Sequence, residues 1–243
     1  MKRVLIFLLV VLLCAGCGSS SAETTRVLFI GNSYTYVNDL PGMFAKLSKS
    51  GGHRVEVGME APGGWSLADH VESVQTADAI ESSTWKYIVL QEQSSFPADK
   101  YFRETNMYPA ARVLVAKIRQ VGATPVLYLT PAHLDGWPDM GMNYMAMQAG
   151  INNGYWNLAR ELNVLVAPAG IAWQSAHAQY PNLILWQADN SHPEKAGTYL
   201  TACVFYATFF HESPVGLSYR GGLSKEIAEQ LQTVASKTVL NTP

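Results

Sequence analysis

Arg26-Val27-Leu28-Phe29-Ile30-Gly31-Asn32-Ser33-Tyr34-Thr35 is the stretch on which the reading of this chain turns. Its short apolar run, Val27 to Ile30, breaks at Gly31-Asn32 and leads through a polar segment to Leu40-Pro41. That order predicts a buried strand, a tight turn and a helix. Open α/β sheets place ligands beyond the carboxyl ends of parallel strands. A helix that follows such a strand aims backbone N–H groups at any anion there. Ser33 is therefore the first candidate nucleophile.

Downstream of this stretch the pattern alternates. A helix is expected around Leu40 to Ser50, closed by Gly51-Gly52, then a strand over Arg54 to Val57. A loop, Pro62-Gly63-Gly64-Trp65-Ser66, precedes a weak helix from Leu67 to about Thr76. Tyr87 to Leu90 reads as a third strand followed by Gln91-Glu92-Gln93-Ser94-Ser95, and Thr105 to Val121 has helical spacing. Val126 to Leu129 and Val164 to Val166 read as the fourth and fifth strands. Helices are expected from about Asn143 to Leu162, Ile171 to His177, Pro193 to Phe210 and Ser224 to Lys237. Met142, Met145 and Met147 are assigned to core packing. Apolar strands alternating with helices argue an α/β sandwich around a parallel sheet, in one domain.

Composition narrows the ligand. The chain has 243 residues, a formal net charge of −2 and 15% charged residues, so nothing directs it to nucleic acid. A small or uncharged partner fits better. The 6 Trp and 12 Tyr, several in expected loops, are consistent with a sugar or acyl ligand. Of 3 cysteines, Cys203 lies in an apolar helical pattern and reads as a buried hydrophobe. His53, His70, His133, His177 and His211 form no pair with metal-ligand spacing, so no metal is expected.

The amino terminus reads as a targeting segment. Lys2 and Arg3 precede an apolar run from Val4 to Leu13, too short for a lasting membrane span and suited to a signal peptide. Leu13-Cys14-Ala15-Gly16-Cys17 resembles a bacterial lipoprotein lipobox, with Cys14 standing where leucine is usual. That reading makes residues 1–16 the leader, Cys17 the lipidated residue, 17–25 a flexible tether and 26–243 the folded domain. The expectation is export to the cell envelope with a lipid anchor in the membrane. Cleavage after Ser20-Ser21-Ala22, giving a secreted or periplasmic soluble protein, is the alternative.

Asp189-Asn190-Ser191-His192-Pro193 is the second chemical signal. A serine hydroxyl needs a general base, and the base needs an orienting carboxylate. His192 can supply the first and Asp189 the second, since three-residue spacing lets a local turn bring them together. Pro193 suits the start of the helix that follows. Glu92 is a rival base, handicapped at neutral pH unless its pKa is raised.

Strand-Gly31-Asn32-Ser33 near the start and Asp189-x-x-His192 before the last large helix together resemble the SGNH (GDSL-type) hydrolases, with Asn32 in place of the usual aspartate. The resemblance covers roughly Arg26 to Phe210. It implies a flavodoxin-like three-layer α/β/α sandwich with a five-stranded parallel sheet, and no metal or organic cofactor. It implies a triad of Ser33, His192 and Asp189, with an oxyanion hole from the backbone N–H groups of Ser33 and of Gly63 or Gly64, Gly64 being favoured, and an amide side chain after the third strand. The family's asparagine is absent there. Gln93 falls at its place, with Gln91 as rival. The implied activity is hydrolysis of carboxylic esters through an acyl-Ser33 intermediate, O-acetyl groups on glycans among the candidate substrates. An acyltransferase on the same scaffold, or an inactive lipid-anchored glycan-binding protein, are the alternatives. Tyr34, Trp65, Phe96 and Trp137 either stack on a sugar ring or anchor loops.

Overall fold

A computed structural model describes residues 23–240. The segments expected to be a leader and most of a tether, with Cys17, lie outside the described residues. Five strands, β1 (Thr25–Ile30), β2 (Val55–Glu60), β3 (Tyr87–Leu90), β4 (Thr124–Tyr128) and β5 (Leu165–Ala167), form one sheet in the order β2-β1-β3-β4-β5. Every pairing is parallel, with Val27 opposite Val57 on one side and Tyr87 on the other. Between and after the strands run α1 (Ser33–Tyr36), α2 (Leu40–Ser50), α3 (Leu67–Glu72), α4 (Val74–Glu81), α5 (Lys100–Phe102), α6 (Tyr108–Gln120), α7 (Tyr144–Leu162), α8 (Ala169–Gln179), α9 (Lys195–Phe210) and α10 (Lys225–Leu240). The result is an α/β sandwich around a parallel sheet, as the strand pattern predicts, in the three-layer α/β/α form that the resemblance implies.

Successive strand residues point to opposite faces, and each face is apolar. Val27, Phe29, Val89, Val126 and Tyr128 pack under α2, α8, α9 and α10. Leu28, Ile30, Ile88, Leu90 and Leu127 pack under α3, α4, α6 and α7. Nearly all of α9 is buried, which accounts for its apolar run, and Phe205 meets Phe29 edge-on at 5.2 Å. Cys203 is buried there as a small hydrophobe.

Three expected helices differ in extent. The helix from Leu67 divides at Ser73, whose side chain accepts from Thr76 N–H and so caps α4 instead of continuing α3. The segment before α6 is a π turn, Arg103–Met107. Pro109 has no N–H to give the carbonyl four residues back, and the ladder widens there. Pro193 stays outside α9, held in a bridge to Trp186, while Glu194 provides the cap. Met147 is buried as expected, but Met145 is exposed, its sulfur accepting from Gln174 Nε2.

Sheet order reverses about β1, with β2 on one side and β3 on the other, so the crevice beyond the carboxyl ends of β1 and β3 is the topological switch point. Ser33 sits directly at it.

Candidate active site

The turn that presents Ser33 is built by its neighbours. Gly31 extends the β1 ladder by donating to the Glu60 carbonyl and accepts at its own carbonyl from His70 Nε2 at 2.8 Å. A Cβ on Gly31 would collide with the Gln91 side chain and with Thr35 Oγ1, so only glycine fits. Asn32 caps α1 by accepting from Tyr34 N–H. Its backbone N–H donates to Gln91 Oε1 and its Oδ1 accepts from Gln91 Nε2, both at 2.9 Å. Its Nδ2 donates to the Trp65 carbonyl at 2.8 Å, tying the loop after β2 to the turn that carries Ser33. An aspartate could not make that donation, which gives asparagine a specific use here.

Gly31→Ala tests the construction of this turn. Forcing a methyl group into a filled site costs about 1–3 kcal/mol. The expected result is a lower denaturant midpoint together with lost turnover, because relief of the clash displaces Ser33. Unchanged stability and activity would contradict the packing described.

Ser33 Oγ lies 2.9 Å from His192 Nε2, and His192 Nδ1 lies 2.6 Å from Asp189 Oδ2. Asp189 Oδ1 accepts from the backbone N–H groups of Ser191 and His192, which closes the turn expected from the three-residue spacing. Partial desolvation pushes the Asp189 carboxyl up, but the His192 hydrogen bond and the two backbone donors outweigh it and hold the pKa at about 2. An ionised Asp189 keeps the ring proton on Nδ1 and leaves Nε2 to accept from the serine hydroxyl. The loop carrying both residues is secured by Leu134 N–H to the Asn190 carbonyl, Trp186 Nε1 to the Ala132 carbonyl and Asn38 Nδ2 to the Pro193 carbonyl.

A cavity of about 360 Å³ opens at Ser33, lined among others by Gly63, Gly64, Gln93, Ser94, Ser191 and His192. Gly64 has φ +79°, a conformation that suits glycine. Gln93 Oε1 accepts from Ser95 N–H, Ser95 Oγ and Phe96 N–H, so Nε2 is the end of this amide left to donate. Gln91 is fully buried and both ends of its amide are spent on the Asn32 turn, with Oε1 also accepting from Thr35 Oγ1. The two glutamines thus divide between bracing the turn and facing the cavity.

Tyr34 forms a buried wall, its hydroxyl 3.1 Å from Ser191 Oγ and its ring edge-on to His192 at 6.0 Å. Burial raises the Tyr34 pKa well above the usual tyrosine range, so the hydroxyl stays protonated. Trp65 and Trp137, expected beside the substrate, do not line this cavity. Trp65 packs edge-on against His70, and Trp137 joins Phe102 and a bridge to Met142. Phe96 stacks on Phe102 at 4.9 Å. Each ring anchors a loop, because these segments have no regular ladder to hold them. Tyr36, Ser94 and Ser191 line the cavity without having been singled out in the sequence. The only signal for them was adjacency to Ser33, Gln93 and His192. Among the described residues no cluster of three or more His, Cys, Asp or Glu could hold a metal ion.

No family model matches the chain, and no curated protein matches it. Solved structures do. A DUF4886 family protein from Bacteroides uniformis superposes with a TM-score of 0.79 at 20% identity, over 90% of this chain and 95% of that one. A candidate SGNH hydrolase from Slackia heliotrinireducens gives 0.66 at 28% identity, over 76% of this chain and 99% of the other. An acetyl xylan esterase gives 0.60 at 16% identity, over 76% and 99% respectively. The fold is that of the SGNH hydrolases.

Proposed function

We propose that this protein is a serine ester hydrolase acting through an acyl-Ser33 intermediate. The observation that carries the reading is the continuous chain from Ser33 Oγ to His192 to Asp189, at 2.9 and 2.6 Å, opening on a cavity at the sheet's switch point. His192 Nε2 takes the Ser33 proton as Oγ attacks the ester carbonyl, and Asp189 stabilises the imidazolium that forms. Negative charge on the former carbonyl oxygen meets the backbone N–H groups of Ser33 and Gly64 and the Nε2 of Gln93. His192 then gives its proton to the departing alcohol. Water, activated by the same ring, releases the acid and restores Ser33.

The cavity is small and lined mostly by polar side chains and glycine, which favours a short acyl group on a polar alcohol, such as an O-acetylated sugar. The likeness to an acetyl xylan esterase agrees with this choice. The test is release of acetate from acetylated glycans and from a chromogenic acetyl ester, with octanoyl esters as the contrast. Products appearing only when a sugar acceptor is added would replace hydrolysis with acyl transfer.

We also propose that Cys17 carries a lipid anchor. Replacing Cys17 with Ser is expected to move the protein from the membrane fraction of its native host to the soluble fraction. A wild-type protein that is already soluble and begins near Glu23 would overturn this.

A further inference from the structure

Glu92 is a fully buried carboxyl next in sequence to Gln93, which lines the cavity. Its Oε1 accepts two backbone donors, Leu67 N–H at 3.1 Å and Gln93 N–H at 2.6 Å, while Oε2 is buried without a partner among the described residues. Leu67 opens α3, immediately after the loop that carries Gly64, and Gln93 belongs to the loop after β3. One oxygen atom therefore joins the two segments assigned above to the oxyanion hole. The Glu92 backbone is held as well, its N–H donating to Tyr155 Oη of α7 and its carbonyl accepting from Gln91 Nε2.

We propose that Glu92 is a positioning residue, which sets the separation of the Gly64 and Gln93 donors through the two bonds on Oε1 and holds them more firmly when ionised. This rests on the ester hydrolase reading of the site. Hydrogen bonds to a carboxylate are shorter and stronger than those to a neutral acid. Burial is the main cause that raises the Glu92 pKa, to about 7, against the two backbone donors that lower it. The neighbouring Asp69 of α3 adds to the rise. Of the other titratable groups packed nearby, Tyr155 is held protonated by burial, and His70 is kept largely neutral by burial while bonded to Gly31 and Thr76. No cation is paired with Glu92 among the described residues. Its ionisation thus falls where pH varies physiologically, and as pH rises through about 7 the two Oε1 bonds become charge-assisted.

The experiment pairs two readouts on wild type, Glu92→Gln and Glu92→Ala. The first follows the backbone amide resonances of Leu67 and Gln93 by NMR from pH 5 to 9. Both are expected to shift together near pH 7 in wild type and to stay flat in Glu92→Gln, which keeps an acceptor oxygen but cannot ionise. The second is turnover of an acetyl ester. The ratio of wild-type to Glu92→Gln kcat is expected to grow to about three- to tenfold as pH rises through 7, with KM little changed. Glu92→Ala is expected to lose more than Glu92→Gln at every pH. Amides that do not titrate together, or a kcat ratio independent of pH, would overturn the proposal. If wild type has no Ser33-dependent turnover, the esterase reading fails by itself, and the amide titration still decides whether Glu92 couples the two loops.

Discussion

Ser33→Ala is expected to lower kcat for an acetyl ester by about 10⁴- to 10⁶-fold, since removing the nucleophile of a triad costs about as much as removing the whole triad. Stability should change little, because Ser33 is only partly buried and, among the described residues, its side chain bonds to His192 alone. A fluorophosphonate should label wild type on the Ser33 peptide and leave the variant unlabelled. The site contains its own control. Ser94 Oγ lies 3.0 Å from His133 Nε2 and lines the same cavity, so the chain holds a second serine–histidine contact within reach of substrate. Among the described residues His133 has no carboxylate hydrogen-bonded to its ring to orient it, and burial lowers its pKa, which handicaps it as a general base. Labelling of Ser94 or Ser191, or substantial turnover by Ser33→Ala, would transfer the chemistry away from Ser33.

Gln93→Ala should lower kcat by about 10²- to 10³-fold, which is about 3–4 kcal/mol of transition-state stabilisation, with little change in KM. The carbonyl oxygen carries its full charge only as Ser33 attacks, so a preorganised donor matters most then. Gln93 also braces its loop, because Oε1 accepts from Ser95 and Phe96, and alanine removes both functions. Gln93→Glu separates them. It keeps the accepting oxygen but puts a carboxylate where the amide donor was, so its kcat should fall at least as far while the loop stays ordered. Gln93→Asn should fall between wild type and alanine, restoring a donor on a shorter stem. Gln91→Ala is expected to show its main effect in stability, since that side chain is buried and spent on the Asn32 turn. Turnover close to wild type in Gln93→Glu, with a large kcat loss in a stably folded Gln91→Ala, would reverse the two assignments.

The sequence by itself determined the layered fold and the places of the candidate site residues Ser33, Asp189 and His192. The three central strands, β1, β3 and β4, of four to six residues and apolar on both faces, have to be covered by helices on both sides, so alternation alone specifies an α/β sandwich. Gly31-Asn32-Ser33 and Asp189-x-x-His192 were legible because each depends on local geometry, a tight turn in one case and a three-residue reach in the other. What only the tertiary structure decided lies in irregular loops, where no period relates position to direction. Gln91 and Gln93 are two residues apart, yet one is buried against Asn32 and the other faces the cavity. Trp65 and Trp137 turn to neighbouring rings instead of the cavity, since each loop must bury its own apolar surface. Glu92, read from the sequence as a rival base, lies buried under two backbone N–H groups, a role that depends on chain segments 25 residues apart. The contact between Ser33 and His192 spans 159 residues, and only the closing of the parallel sheet and the seating of α9 against it bring those two side chains within a hydrogen bond.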